Sequence, residues 1–496
     1  MYDVFIIGGG IHGCGCAADA ALRGLSVLLC EQDDIASQTS SSSSKLIHGG
    51  LRYLEHYDFH LVKKALDEQQ ILLNIAPHLV HPLPFFLPYR KTLRPAWLLR
   101  AGLFLYDILS WSNTLPSTRT LKKSRNPIYF TPLLADIQRG FLFYDGQTDD
   151  ARLTLSVALQ AKTHGASILP HTRFMSAKAQ SDHWLITLKP KFGETFQITA
   201  KTMINAAGTE AESIAQHLSM PLQSPMTYVK GSHMIVPALY PETHAYLLQA
   251  PDQRIVFVIP YHGYSLIGTT DVRTVPHHSP TINLEEIDYL KNVVHAYFPQ
   301  SIATIVATYS GIRSLCAADT SKASALSRDY MLEYVEKPLP FLSILGGKLT
   351  TYRHVAEKAI DRLFPKAPPS RTHLSGLPGN PKSLGYSWED YKNHAAKQYA
   401  WLEAPILTHY LNTYGSRMAL FLQNCHQMAD LGLAFGAILY QKEVDFLCQE
   451  EWAQSVEDIL WRRTKLGLTT HEKDILSLET YLKTRMTKSN HQKISQ

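Results

Sequence analysis

Residues Asp3 to Gly13 read DVFIIGGGIHG, and the reading of this stretch decides the fold. Val4 to Ile7 is a short apolar run of the kind that forms a buried parallel strand. Gly8, Gly10 and Gly13 follow in G-x-G-x-x-G spacing. The first glycine permits a tight turn, the second lets backbone approach a pyrophosphate, and the third lets a helix lie close to the sheet. Ile11 to Arg23 is rich in small residues and predicts that helix, with its N-terminal N–H groups facing phosphate; Gly24 ends it. Ser26 to Cys30 predicts the second strand, and Glu31 at its end is placed to accept hydrogen bonds from ribose hydroxyls. An acid there would repel a 2′-phosphate, which argues against an NADP-type ligand.

The rest of the chain sets bounds. Its 496 residues hold two or three domains, with the composition of an ordinary globular protein. Six cysteines occur, none in C-x-x-C spacing, so no metal site is expected and a reducing compartment is. The chain opens on its first strand, with no signal peptide or Arg-rich presequence expected, and no apolar run reaches the length of a membrane span. The net charge of +5 is unevenly spread. Between Phe86 and Arg125, Arg90, Lys91, Arg94, Arg100, Arg119, Lys122, Lys123 and Arg125 face a single acid, Asp107. They flank PAWLLRAGLFLYDILSW, Pro95 to Trp111. Basic residues around an apolar, aromatic run describe a segment lying in an anionic membrane interface; a core helix with solvated basic neighbours fits equally well. No nucleic-acid motif accompanies the charge.

Downstream, a helix is expected from Glu55 to Ile75, and a loop or edge strand from His81 to Pro95, where prolines recur. Lys123 to Leu142 reads as irregular, and Ala151 to His164 as a helix with Asp149 and Asp150 at its positive end. Alternating stretches at His183–Lys189 and Glu194–Thr199 predict a small antiparallel layer, and TMINAAG (Thr202 to Gly208) an apolar strand. Val229–Val236, Arg254–Pro260 and Tyr264–Thr269 predict a second, antiparallel sheet, with a strand at Ile305–Tyr309 and a helix at Leu284–Phe298. GGKLTTYRHVAEKAIDRL is a glycine turn opening a helix. Pro365 to Gly385 is rich in Pro, Gly and Ser and reads as a linker to a helical C-terminal region.

IIGGGIHG, TSSSSSKLIHGGLRYLEHYDFHLV, LPYRKTLRPAW, DDARL, YVKGSHMIVP, RIVFVIPY, IGTTDV, YSGIRSLC, SRDYMLEY, GGKLTTYRHVAEKA and LWRRTKLGL together resemble the FAD-dependent, quinone-linked glycerol-3-phosphate dehydrogenases of the aerobic bacterial type. The resemblance runs from about Tyr2 to Leu468. It implies an α/β fold: a discontinuous FAD-binding Rossmann-like domain of the glutathione-reductase/D-amino-acid-oxidase type (1–78, 150–225, 335–366), an antiparallel-sheet substrate domain with the membrane-facing segment (79–149, 226–334), a linker (367–385) and an α-helical C-terminal domain (386–496). The mitochondrial relatives' calcium-binding loops are not matched. Departures from the family pattern are Thr209 and Glu210 after Gly208, Ser314 after Arg313, and IPYHGYS before the GTTD block.

The resemblance also implies FAD as cofactor and oxidation of sn-glycerol 3-phosphate to dihydroxyacetone phosphate. Electrons would pass to ubiquinone or a similar quinone at the cytoplasmic membrane face, which the chain would touch peripherally; a homodimer is one option and nucleic acid is not expected. The family blocks place Gly8, Gly9, Gly10, Ile11, His12, Gly13, Glu31, Ser43, Ser44, Lys45, His48, Gly49, Gly208, Gly346, Gly347, Leu349 and Thr350 at the cofactor. Arg52, Tyr53, Thr270, Arg313, Arg328 and Lys348 fall at the substrate, where cations suit a dianionic phosphate. His233 is the expected base for the hydroxyl proton, with Arg313 stabilising the alkoxide as the alternative. A soluble oxidase passing electrons to oxygen and a non-enzymatic flavin-binding protein are the competing readings.

Overall fold

The computed structural model describes residues 1–50, 58–91, 93–110, 114–276, 279–316 and 329–494, with side chains to residue 485. Arg52, Tyr53 and Arg328 lie outside the described residues, as does the start of the helix expected from Glu55.

The opening strand, Tyr2–Ile7, is central in the first sheet. It pairs in parallel with Val27–Cys30 on one side and Phe196–Asn205 on the other, and the parallel run extends to Ser167–Leu169 and Phe341–Gly346. Val4 to Ile7 alternate between two cores, which is why all four are apolar. Val4 and Ile6 pack with the helices Ile11–Leu22, Asp150–Thr163 and Tyr352–Leu363. Phe5 and Ile7 pack on the opposite face against Trp184, Ile186 and Leu188. That face is covered by an antiparallel layer, Thr172–Ala179 and Trp184–Pro190, paired with the first half of the long strand Phe196–Asn205. The second half of the same strand carries TMINAAG back into the parallel sheet, where Val4 lies opposite Thr202.

The second sheet has ten strands, with Met226–Pro237 paired along its length to Ala307–Cys316 and to Tyr264–Gly268. Three expectations are corrected by these strands. Val80–Pro88 is not a loop or edge: it pairs along its whole length with Arg139–Thr148, and that strand begins inside the stretch read as irregular. Pro82, Pro84 and Pro88 share one parity, so their missing donors all face one edge of the strand. Pairing with Ala245–Gln249 is confined to Phe85 and Phe86, which matches such an edge. The strand expected to end at Tyr309 continues to Cys316 and thereby carries Arg313.

Ala96–Leu109 is one helix. It buries Leu99, Leu103 and Tyr106, and leaves Trp97 (72% exposed), Phe104 (65%) and Ile108 outward. No helix among the described residues is long and apolar enough to cross a membrane. Beyond the Pro- and Gly-rich stretch, short helices build a separate core around Tyr410, Tyr414, Phe421 and Phe446, joined by a terminal helix, Glu472–Ile494, that the periodicity does not announce. The stretch expected to be a linker is pinned down: Ser370 Oγ donates to Asp19 Oδ1 at 2.5 Å, and Asn380 Nδ2 to the carbonyls of Asn74 and Ile75 at 3.1 and 3.0 Å.

Candidate active site

The glycine turn is folded directly onto the end of the returning strand. Gly8 has φ +109°, and a Cβ there would sit 2.6 Å from the Ala206 carbonyl oxygen; one on Gly13 would sit 1.9 Å from that of Gly8. Gly10 caps Ile11–Leu22 without a side-chain bond, and no acid occupies the first turn, so the helix presents its positive end to the turn. Glu31 braces this arrangement: Oε2 accepts from Gly9 N at 2.7 Å and Oε1 from Asp33 N at 2.9 Å. Burial pushes the Glu31 carboxyl above its ordinary pKa. A cavity of about 450 Å³ opens here, lined by Gly8, Gly10, Glu31, Ser40, Arg173, Phe174 and Gly208 among others. A helix N-terminus for phosphate, an acid for ribose and an apolar wall for a base fit the adenosine diphosphate part of FAD.

The serine run extends from this cavity toward the second sheet. Ser40 Oγ accepts from Ile11 N at 3.0 Å, so the loop touches the helix N-terminus itself. Thr39 Oγ1 donates to the Ile312 carbonyl at 2.7 Å. Asp150, the first residue of its helix, organises the rest: Oδ2 accepts from Ser43 N and Oγ at 2.9 and 2.7 Å, and Oδ1 from Lys45 Nζ at 2.7 Å. The Ser43 hydroxyl and the buried Lys45 ammonium therefore shape the loop. Asp150, Thr39 and Ser40 were missed as site residues; Asp150 lay in a quoted block but read only as helix-end charge.

The loop ends against His233. Ser44 Oγ lies 2.9 Å from His233 Nε2, and the imidazole stacks on Tyr309 at 4.8 Å between centroids and 16° between planes. The Tyr309 hydroxyl in turn donates to the Ser43 carbonyl at 2.8 Å. Opposite His233 across the strand pair is Gly268, whose missing side chain makes room for the ring. His233 is 1% exposed, and burial, with Arg313 and Lys45 nearby, holds its pKa well below the ordinary value. Arg313 reaches a neighbouring position: Nη1 donates to Asp271 Oδ1 at 2.6 Å and Nη2 to Thr269 Oγ1 at 3.1 Å, beside Gly231. It keeps a quarter of its side-chain surface exposed.

Thr270 does not join them through its side chain. Its Oγ1 accepts from Ser232 N at 2.9 Å and donates to Glu286 Oε1 at 2.7 Å. Glu286 also takes Ser232 Oγ and Lys230 Nζ, both at 2.9 Å, so Thr270 belongs to a buried brace behind the strands that carry His233 and Arg313. On the parallel-sheet side, Gly346 and Gly347 turn the chain into Lys348 and the 3-10 turn Leu349–Thr351. A Cβ on Gly347 would meet the His12 ring at 2.7 Å; burial lowers His12 to about 4. His48 lies 6.3 Å from Phe257, ring to ring. Gly49 N donates to the Tyr106 hydroxyl oxygen at 3.0 Å, and that hydroxyl donates to buried Asp145 at 2.6 Å.

This geometry defines a flavin-dependent oxidoreductase, and the relatives agree. Residues 3–353 match the model of the FAD dependent oxidoreductase family, and residues 370–484 that of the C-terminal domain of alpha-glycerophosphate oxidase. A glycerol-3-phosphate dehydrogenase of Pseudomonas aeruginosa is 46% identical over 97% of this chain and 95% of its own length. A D-erythritol 1-phosphate dehydrogenase of Brucella abortus is 41% identical over 95% of this chain and 96% of its own. The glycerol-3-phosphate dehydrogenase of Bacillus halodurans, solved with FAD, superposes with a TM-score of 0.75 at 23% identity, covering 98% and 94% of the two chains. The chain belongs to the FAD-dependent oxidoreductases, in the family of the flavin-linked glycerol-3-phosphate dehydrogenases. FAD is its cofactor.

Proposed function

We propose that the enzyme oxidises sn-glycerol 3-phosphate to dihydroxyacetone phosphate and passes the electrons to a membrane quinone. The observation that carries the reading is the pairing of a part-exposed Arg313 with a buried, neutral His233 at the end of the serine loop. Bound FAD supplies the hydride acceptor. Arg313, held by Asp271 and Thr269, steadies the developing negative charge on the substrate oxygen. The hydroxyl proton passes to His233 Nε2 by way of Ser44 Oγ, since the ring itself is 1% exposed. Lys348, with Arg52, Tyr53 and Arg328 from the matching blocks, holds the phosphate dianion.

The membrane part of the reading rests on Ala96–Leu109. Trp97, Ala101, Phe104 and Ile108 recur at helical spacing, and all are exposed, beside Arg100 and Arg119. Such a face suits shallow insertion among anionic headgroups, where a quinone is within reach. The test is an anaerobic flavin spectrum. Stoichiometric bleaching by sn-glycerol 3-phosphate, with reoxidation faster by quinone than by air, supports the proposal. Fast reoxidation by air with stoichiometric peroxide would instead make the enzyme an oxidase. The relative acting on D-erythritol 1-phosphate favours one competitor substrate, and faster bleaching by that compound would reassign the alcohol.

A further inference from the structure

A short segment of the C-terminal domain, Trp461–Arg462–Arg463–Thr464–Lys465, reaches the loop that follows Glu31. Its target is Asp34, 2% exposed, in the loop between Glu31 and the serine run. Arg463 bonds Asp34 through both terminal nitrogens, with Nη2 to Oδ1 at 2.8 Å. Arg462 Nε donates to Asp34 Oδ2 at 2.6 Å while its Nη2 donates to Asp458 Oδ1 at 2.5 Å. Arg463, 1% exposed, is itself anchored by Nη2 donating to the Glu451 carbonyl at 2.5 Å.

The loop so gripped is a wall of the cofactor cavity. Ile35 Cδ1 would lie 2.8 Å from a Cβ on Gly9, and Ala36 N donates to the Gly9 carbonyl at 3.1 Å. Ala36, Ser37, Gln38, Thr39 and Ser40 line the cavity above the glycine turn. Among the described residues Asp34, His171 and Asp458 come within a metal-like distance of one another, but the Arg462 guanidinium bridges the two carboxylates and already supplies the positive charge.

We infer that the Arg462–Arg463 pair is a clamp through which the C-terminal domain holds the loop 32–40 in its FAD-binding shape, so that cofactor retention depends on a domain that does not line the adenosine cavity. A buried carboxylate shared by two guanidinium groups is a rigid link, and removing that carboxylate leaves the Arg463 guanidinium, 1% exposed, without its bidentate partner.

The experiment compares Asp34→Asn, Arg462→Gln and Arg462→Lys with Arg485→Gln in the full-length enzyme. Arg485 bonds Asp445 at 2.5 Å inside the C-terminal domain and serves as the control for general loosening of that domain. Each apoprotein is titrated with FAD by flavin fluorescence, and its melting is followed by circular dichroism. Binding about tenfold or more weaker in Asp34→Asn and Arg462→Gln, with Arg485→Gln unchanged, is the expected result. Arg462→Lys keeps the charge but not the two-carboxylate bridge, and is expected to weaken FAD as well; it reads the effect if Asp34→Asn fails to fold. FAD affinities within twofold of the unmodified enzyme, or an equal fall in Arg485→Gln, would overturn the clamp.

Discussion

Ser44 Oγ stands 2.9 Å from His233 Nε2 and joins the buried imidazole to the cofactor loop. If the proton leaves the substrate along this contact, Ser44→Ala and His233→Ala should slow flavin reduction by similar factors, on the order of 10²-fold, and the double variant should cost no more than either single. Stopped-flow absorbance at saturating substrate measures this. Additive losses would mean that the two side chains act separately.

Arg313 is expected to act on charge rather than shape. Arg313→Ala should lower kcat/KM by on the order of 10²–10³-fold, corresponding to one lost charge-assisted contact to the developing oxyanion. Arg313→Lys should recover little, because Asp271 Oδ1 and Thr269 Oγ1 are met by two separate nitrogens of one planar group. Steady-state kinetics check both, and unaltered kcat/KM in Arg313→Ala would remove it from the site.

Buried histidines set an acid limit on stability. His12 and His262 are lowered to about 4 and His78 to about 3, while His233 is held well below its ordinary value, each with burial as the first cause. A group with a depressed folded pKa binds its proton in the unfolded chain first. Its stabilising contribution is present above the unfolded value of 6.5 and falls as pH drops toward the folded value. Each such histidine contributes up to about 1.4 kcal/mol per pH unit across that window. Urea unfolding between pH 7 and pH 5 should therefore show a steep loss of stability, made shallower in His78→Gln; a flat profile would contradict the burial argument.

The outward stripe of Ala96–Leu109 makes a direct prediction. Trp97→Ser combined with Phe104→Ser should abolish binding to vesicles of anionic lipid in a sedimentation assay and leave anaerobic flavin reduction by substrate intact, because neither residue is packed in a core. Binding unchanged in this variant would place the membrane contact elsewhere.

Much of the fold was legible because the opening strand and glycine turn obey local rules. Val4–Ile7 had to be buried on both faces, and Gly13 had to lie against Gly8 for the helix to dock. The prolines of Val80–Pro88 misled because local rules count proline against a strand. Their shared parity stands in the numbering, but only the register shows that the strand pairs fully with Arg139–Thr148 and that pairing toward Ala245–Gln249 is confined to Phe85 and Phe86. At the site, Arg313 and His233 were legible through their blocks, but their partners were not. Asp150, Tyr309 and Glu286 act across 107, 266 and 54 residues of chain to Ser43, Ser43 and Ser232, and no spacing rule connects such positions. Thr270 shows the same limit in reverse: its block was placed, but its hydroxyl faces Glu286.

By the proposed mechanism, the pocket beside Arg313 and His233 oxidises a phosphorylated secondary alcohol at the flavin. The most direct test is the flavin absorbance of the anaerobic holoenzyme before and after one equivalent of sn-glycerol 3-phosphate. Near-complete loss of the visible flavin band, with one dihydroxyacetone phosphate formed per flavin, is the expected result. A band that persists at excess substrate would contradict it.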